Sequence, residues 1–570
     1  MPEKLKPVDV VVVGLGAGGG TAVWPLAEAG LDVVGIEAGP HTTFSDYPFD
    51  EIRNDIRDYM GRFKANKEVP TTRRLSSEQA TRPLGATGPM MNAVGGTSIH
   101  WMTQSWRYLP WNFKVRSATI EKYGASAIPA GSTVTDWPYG YEELEPWYDK
   151  VEYRHGVSGQ AGNVHGKIDP AGNIFEGPRS RKYPLHPLRR SGWNDLTYKA
   201  AKDVHLHPYP GPTGIRSAPY HGFAECTYCG FCGWTGCWTG AKASTNLHFI
   251  PQAVKTGNLK IEDLSRVLEV NVDKDGKASG VTYLKAGRTY FQPAKVVILA
   301  SYIYENTRLL LLSTSKAYPH GLSNNHGQVG KNYMGHGLAS ASVMGVFKGQ
   351  KLNLYSGTLG QYTAVDDWDA DNFDHKGLGF ISGGMVSATM ESKPINGTAN
   401  TTPPSVPTWG SGYKAWLAEN YDAVGTISAQ METFSYPQNY CDLDPVVKDD
   451  LGRPVLRITF ALQDNEIKSA LWIQEKIKTW MAAAGASDIW TYPPTEYSPS
   501  THAYGTTRMG SDPETSVLNE WQISHEVPNL LVLGGAAFPT TAGRNPTESI
   551  QATSWRAGDH LAKHFHSIAS

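Results

Sequence analysis

No run of 18 apolar residues occurs in the 570-residue chain, so a membrane-spanning helix is not expected. An excess of one charge is also missing. The 52 Lys and Arg residues stand against 54 Asp and Glu, a net −2, which leaves no electrostatic footprint for nucleic acid. Internal repeats and low-complexity tracts are absent. Met1 to Pro7 lacks an apolar stretch ahead of the first strand, so no signal peptide of its own is expected. Cysteine is scarce: there are five, and all but Cys441 fall between positions 226 and 237. That clustering does not suit a structural disulfide framework, which would be spread more widely. What the chain does have is 40% hydrophobic residues, 59 Gly and 37 Pro, with aromatics throughout, so the glycines and prolines mark turns rather than disorder. A chain this long exceeds a single core, and at least two interlocked domains are expected.

Val8 to Val13 reads as a short buried strand, followed directly by Gly14-Leu15-Gly16-Ala17-Gly18-Gly19. The pattern predicts a helix from about Gly18 to Ala29, then a strand from Leu31 to Ile36 ending at Glu37. This is the βαβ order of a dinucleotide-binding unit. Gly14 permits the tight turn, Gly16 lets the backbone approach a pyrophosphate, and Gly19 lets helix and strand pack closely. The helix start offers free N–H groups to the phosphates. Glu37, 23 residues after Gly14, stands where an acid accepts hydrogen bonds from the adenosine ribose. Pro25 dissents, because inside a helix it removes a backbone hydrogen bond and should kink it.

The segment Asn92-Ala93-Val94-Gly95-Gly96-Thr97-Ser98-Ile99-His100-Trp101 resembles the flavin loop of the glucose–methanol–choline (GMC) oxidoreductases. Val296–Ala300 with Glu305-Asn306-Thr307-Arg308 is similar to that family's late Rossmann strand and helix. Leu530–Gly535, Ala536-Ala537-Phe538-Pro539 and Asn545-Pro546-Thr547-Glu548-Ser549-Ile550 resemble its terminal FAD segment. The resemblance spans essentially the whole chain. It implies an α/β Rossmann-like FAD-binding domain plus an α+β substrate domain with an antiparallel sheet. It also implies FAD contacts at Gly95, Gly96, Ser98, His100, Gly535, Ala536, Pro546 and Thr547, with the helix that starts near Pro546 aiming its dipole at the flavin. A narrower resemblance rests on Cys226-Thr227-Tyr228-Cys229-Gly230-Phe231-Cys232, Asp371-Asn372-Phe373-Asp374-His375, Asn439-Tyr440 and Asp442-Leu443-Asp444-Pro445. It points to the large FAD subunits of bacterial gluconate 2-dehydrogenases and glucoside 3-dehydrogenases, which implies partner subunits and a cytochrome c acceptor.

His502 and Asn545 match the family's two catalytic positions. Oxidising an alcohol means removing the hydroxyl proton as hydride leaves carbon, and a neutral imidazole suits that near pH 7. Asn545 would hold the same oxygen and fix the C–H direction. Arg508 and Arg544 lie beside these positions, either to orient substrate or in structural roles. His100 is either bonded to the flavin 8α carbon, as in pyranose oxidase-like relatives, or packed beside the ring. Cys226, Cys229, Cys232 and Cys237 follow a C-x2-C-x2-C-x4-C spacing that lets thiolates from one loop converge. Such a density suits an iron–sulfur cluster, [3Fe–4S] or [4Fe–4S]. A zinc-held loop and free thiols are the alternatives. Cys441 reads as a buried apolar residue.

The layout expected places the FAD-binding domain in 1–130, 222–335 and 500–570, the substrate domain in 336–499, and a loop-rich excursion with subunit contacts in 131–221. Asp275-Gly276 should turn a hairpin between Leu268–Val272 and Val281–Leu284. Leu338–Phe347 and Val455–Phe460 are expected to belong to the substrate-domain sheet. The function expected is that of a catalytic subunit oxidising a secondary alcohol of a sugar or sugar acid, at glycoside C3 or gluconate C2. Electrons would pass through the cluster to a cytochrome c. The alternatives are an oxygen-using sugar oxidase of the same fold and a non-catalytic flavin electron-transfer subunit. The location expected is the periplasmic side of the membrane, reached by co-export with a small subunit bearing a twin-arginine signal; the alternative is cytoplasmic.

Overall fold

The computed structural model describes residues 2–47, 49–53, 69–78, 81–84, 90–336, 341–389, 393, 395, 402–494 and 500–570. Val8–Val13 is buried along nearly its whole length because it lies inside a parallel arrangement. Val33–Ile36 runs on one side and the second half of Arg288–Leu299 on the other. A strand covered on both faces needs continuous valine rather than alternation. Leu259–Glu262 extends the parallel row beyond Val33–Ile36. Leu530–Val532 pairs parallel with the far edge of Val297–Leu299, which brings the C-terminal segment beside the N-terminal glycines. Ser265–Val272, Ala278–Lys285 and Arg288–Leu299 are joined antiparallel. The first of these hairpins turns at Asp273–Gly276 as expected, with Gly276 at φ +83°.

The first helix spans Ala17–Glu28 and runs through Pro25 unbroken, contrary to the kink expected. Ala29 N still donates to Pro25 O at 3.1 Å. The pyrrolidine ring packs against Gly558 of the C-terminal helix (Thr547–Ala569), where a Cβ would come 2.9 Å from Pro25 Cγ. Burying the ring there offsets the lost hydrogen bond.

A second sheet has six antiparallel strands in the order Asp488–Thr491, Ala341–Val346, Val424–Met431, Gly384–Thr389, Tyr362–Val365, Tyr209–Pro210. The helices Asp464–Ala483 and Gly192–Asp203 cover one face of it. Ile473, Ile477, Trp480 and Trp193 pack there against Val343, Val386 and Ile427. The opposite face looks onto a cavity shared with the first sheet. Of the expected strand Leu338–Phe347, positions 338–340 lie outside the described residues and Ala341–Val346 is a strand of this sheet. Pro454–Thr459 is not part of it. That strand pairs antiparallel with Tyr440–Lys448 and parallel with Thr71–Arg73 in a separate four-stranded sheet. The pairing is long-range, and alternation within the strand cannot reveal it.

Within the stretch 131–221, two helices stand among loops and short strands. Tyr141–His155 and Gly192–Asp203 are helices. The first buries Tyr141, Leu144, Tyr148, Val151 and His155, a 3.6-residue stripe, against the C-terminal helix. Tyr148 Oη meets Ser549 Oγ at 2.6 Å, and Trp147 Nε1 donates to Asp559 Oδ2 at 2.8 Å. Among the described residues, no helix is long and apolar enough to cross a membrane.

Candidate active site

Between the two sheets lies a cavity of about 580 Å³. Its floor is the N-terminal glycine turn. Gly14 has φ +88°, and a Cβ there would strike Ala300 O at 2.7 Å, so only glycine makes this turn. Gly16 meets the flavin-loop segment: a Cβ on Gly96 (φ +51°) would stand 2.8 Å from Gly16 Cα. Gly95 N donates to Leu15 O at 3.0 Å and Ser98 Oγ to Gly95 O at 2.6 Å, which ties that segment onto the turn. Glu37 accepts from Leu15 N and Gly39 N, each at 3.0 Å, and so braces the turn while its side chain borders the cavity.

The expected contact residues divide into two groups. Gly14, Gly16, Glu37, Gly96, Ser98, His100, Gly535, Pro546 and Thr547 line the cavity. Gly19, Gly95 and Ala536 stand behind it. A Cβ on Gly19 would lie 2.0 Å from Gly14 O, and one on Gly95 would lie 2.9 Å from Asn246 Cβ. Ala536 is buried in the core. These three pack directly behind the cavity lining. The start of the helix Thr547–Ala569 opens at the wall, where unpaired N–H groups and the helix dipole favour an electron-rich ring edge. His100 is 3% exposed, and its Nδ1 has no hydrogen-bond partner among the described residues. Burial, aided by the Lys242 ammonium, holds the ring near pKa 3 and therefore neutral. A glycine cradle, a helix start and an orphaned imidazole nitrogen fit an FAD.

His502 and Asn545 come together at the cavity wall, with His502 Nε2 3.5 Å from Asn545 Nδ2. Two residues that sequence reasoning missed set their orientation. His336 Nε2 lies 2.6 Å from Ala542 O, which can only accept, so the proton is on Nε2 and Nδ1 is bare. That bare Nδ1 is 3.1 Å from His502 Nδ1, so His502 must carry its proton there. The Nε2 of His502 is then left as a lone pair facing the cavity. Burial first and His336 second hold the His502 pKa well below its ordinary value, so the ring is neutral at pH 7. Gln430 Nε2 donates to Asn545 Oδ1 at 2.7 Å, which turns the Asn545 amide N–H toward His502. Neither His336 nor Gln430 sits in a recognisable motif.

The arginines beside the pair are committed elsewhere. Arg508 donates to Thr515 O and Thr133 O. Arg544 is buried in an ion pair with Asp366 and with Asp369, the latter at 2.8 Å. Neither borders the cavity.

The four clustered thiols lie in one loop but do not converge. Cys232 Sγ faces Thr358 Oγ1 at 2.9 Å, and Cys237 Sγ faces Thr239 Oγ1 at 3.3 Å. Burial pushes the Cys226 thiol up to about 11. Burial also raises Cys237, but the Thr239 hydrogen bond and the Lys242 ammonium outweigh it and bring that thiol below its usual range. Among the described residues, no three His, Cys, Asp or Glu side chains surround a point that a metal would occupy. As arranged, the loop is not closed around a cluster: Cys226 and Cys232 both pack on the apolar group with Leu188, Ile215 and Leu359, and Thr358 engages Cys232 Sγ. Lys242 joins this loop to the flavin loop: its Nζ donates to Trp101 O, Cys232 O and Thr235 O at 3.0, 2.8 and 2.7 Å. Trp234, from the same loop, borders the cavity with its ring 6.0 Å from that of His100. Cys441 is 3% exposed in the core.

Comparison with known proteins agrees with this architecture. Two family models, both described as GMC oxidoreductase, match residues 134–337 and 435–554. The gluconate 2-dehydrogenase flavoprotein of Pantoea cypripedii is 36% identical over 97% of this chain and 94% of its own length. The fructose dehydrogenase large subunit of Gluconobacter japonicus is 25% identical over 98% of this chain and 99% of its own. In fold, the crystal structure of pyridoxine 4-oxidase from Mesorbium loti superposes with a TM-score of 0.61 at 15% identity, covering 98% of this chain and 99% of that one. The chain belongs to the GMC oxidoreductase family and is an FAD-dependent enzyme acting on alcohol groups.

Proposed function

We propose that this chain is the catalytic subunit of a sugar or sugar-acid dehydrogenase that oxidises a secondary alcohol, at glycoside C3 or gluconate C2. The observation that carries the reading is the bare Nε2 of His502, facing the cavity beside the Asn545 amide. FAD, when bound, supplies the hydride acceptor. His502 Nε2 takes the hydroxyl proton, and Asn545 Nδ2 donates a hydrogen bond to the same oxygen. Gln430 holds that amide in place, so the C–H bond is presented in one direction. Gly14, Gly16, Gly96, Ser98, Gly535, Pro546 and Thr547 hold the cofactor, Glu37 takes its ribose, and His100 is the attachment point for a covalent link. Residues 1–130, 222–335 and 500–570 serve the cofactor, 336–499 the substrate, and 131–221 a partner subunit.

The finer part of the proposal is that Cys226, Cys229, Cys232 and Cys237 would hold an iron–sulfur cluster, which would supply an electron exit toward a cytochrome c subunit. Support comes from the position of Trp234 beside His100 and from the loop's tie to the flavin segment through Lys242. Loading a cluster requires Cys232 to leave Thr358. A location on the periplasmic side, reached with a small export-competent subunit, belongs to the same reading and rests on the likeness to gluconate 2-dehydrogenase flavoprotein.

The test is anaerobic. A panel of sugars and aldonates is mixed with the holoenzyme and flavin bleaching is followed, with and without an artificial acceptor. His502→Ala should slow bleaching by about 10² to 10⁴-fold while FAD stays bound. Near-normal single-turnover bleaching in that variant removes His502 from the base role. Equal turnover with oxygen alone would favour an oxidase.

A further inference from the structure

The cavity-facing side of the six-stranded sheet carries an unusual row. Ser342 pairs with Ser428, and Ser428 pairs with Ser387. Three serines thus stand directly opposite one another on three adjacent strands, and all three border the cavity. Their strand neighbours on the other face are apolar: Val343, Ile427 and Val386 are fully buried in the core. Alternation therefore gives this sheet one dry face and one face of hydroxyls. Serine is a weak strand former beside threonine or valine, so a three-strand row of it gives up packing energy and calls for a reason beyond folding.

Two further observations point to a ligand. Ser387 is only 5% exposed, yet its hydroxyl has no hydrogen-bond partner among the described residues and opens onto the cavity. Gln430 lies two residues beyond Ser428 on the same strand face, and its Oε1 is buried without a partner while its Nε2 holds Asn545. Buried polar atoms left open in this way cost free energy unless something satisfies them.

The spacing gives the shape of that group. Neighbouring strands lie about 4.8 Å apart, so the row spans about 10 Å, and Ser428 sits about 7 Å along the strand from Gln430. The row is thus displaced from the candidate catalytic pair by roughly one sugar ring and is too long for a single ring. We propose that Ser342, Ser428 and Ser387 form a subsite for the second ring of a glycoside, whose first ring presents its secondary alcohol to His502 and Asn545. This rests on the sugar-oxidising reading above and narrows it toward two-ring neutral glycosides and away from the shorter aldonates.

The test compares methyl glucoside with maltose on the holoenzyme. One readout is the ratio of their kcat/KM values for flavin reduction. The other is the Kd of maltose measured from the perturbation of oxidised-flavin absorbance, which needs no turnover. Ser428→Val and the triple variant to Ala should lower the maltose-to-methyl-glucoside ratio and raise the maltose Kd by about 3- to 10-fold per lost hydrogen bond. Thr426→Val, on the same strand but outside the cavity lining, should leave both unchanged. An unchanged ratio and Kd in the serine variants overturns the subsite while leaving sugar oxidation standing. If neither sugar bleaches the flavin, the sugar-oxidising reading fails, and the maltose Kd still decides whether the row binds a two-ring sugar.

Discussion

His336 and His502 face each other Nδ1 to Nδ1 at 3.1 Å, with their rings nearly perpendicular at 89°. One of the two nitrogens must hold a proton and the other a lone pair. Ala542 O decides which, because it accepts from the far nitrogen of His336 at 2.6 Å. The tautomer of His502 is therefore dictated by a backbone carbonyl on the far side of His336, and among the described residues no carboxylate is bonded to either ring as in a His–Asp pair.

His336→Ala should slow flavin reduction by about 10- to 100-fold, since His502 loses both its orientation and its tautomer. The pH profile separates this from a packing defect. In the wild type the His502 pKa is held well below its usual value by burial and by His336, so activity should stay flat from neutral pH down through pH 6. Removing His336 takes away one of the two depressing causes, and the inflection should rise toward about 6.5. His336→Gln, which can accept the same hydrogen bond, should recover part of the rate. An unshifted profile in His336→Ala would mean that His336 serves packing alone.

The free Nδ1 of His100 leads to a second expectation. Acid-precipitated holoenzyme should keep its yellow colour, and His100→Ala should release FAD into the supernatant. A colourless wild-type pellet would reduce His100 to a packed neighbour of the ring.

The thiol loop can be judged by metal content and by electron exit together. Purified protein should hold about three or four irons per chain if a cubane-type cluster loads. Cys229→Ser or Cys232→Ser should then leave substrate bleaching of the flavin intact while transfer to cytochrome c is lost. Stoichiometric zinc without iron, or unimpaired cytochrome reduction in both variants, would count against the relay.

Glu152 offers a stability test remote from the chemistry. It accepts from Arg107 at 2.7 and 2.9 Å and from Arg179, all fully enclosed. Burial raises its pKa, but the two guanidiniums outweigh that and bring it from 4.5 to about 2. A carboxylate depressed in this way stabilises the fold above its unfolded pKa, and the contribution is lost as pH falls from about 4.5 toward 2. Glu152→Gln leaves two buried cations underpaired and should cost about 3–5 kcal/mol, read as a lower urea midpoint at pH 7. The difference from wild type should shrink below pH 4. A midpoint within error of wild type would show that solvent or relaxation screens the cluster.

Features that depend on neighbours along the chain were legible before any tertiary contact was known. The glycine turn after Val8–Val13 and the Asp273–Gly276 hairpin could be read from residue type and spacing, and the C-terminal helix beginning at Thr547 from the resemblance of its entry segment to the family's. Each is enforced within a few residues, by the absence of a Cβ, by alternation or by a helix start. Helix 141–155 was hidden because Pro146 and the flanking glycines masked its stripe. Other features depended on groups distant in sequence and meeting only in space. His336 is 166 residues from His502, and Gln430 is 115 from Asn545. The partners of Pro454–Thr459, the turning of Cys232 toward Thr358 and the three-serine row likewise follow from which strands and loops lie side by side. Spacing along the chain carries no information on those encounters, because a side-chain hydrogen bond or a strand register is selected by the packing of the whole. The family resemblance pointed to His502 and Asn545, while their 3.5 Å approach, the tautomer of His502 and the orientation of the Asn545 amide were decided by the fold.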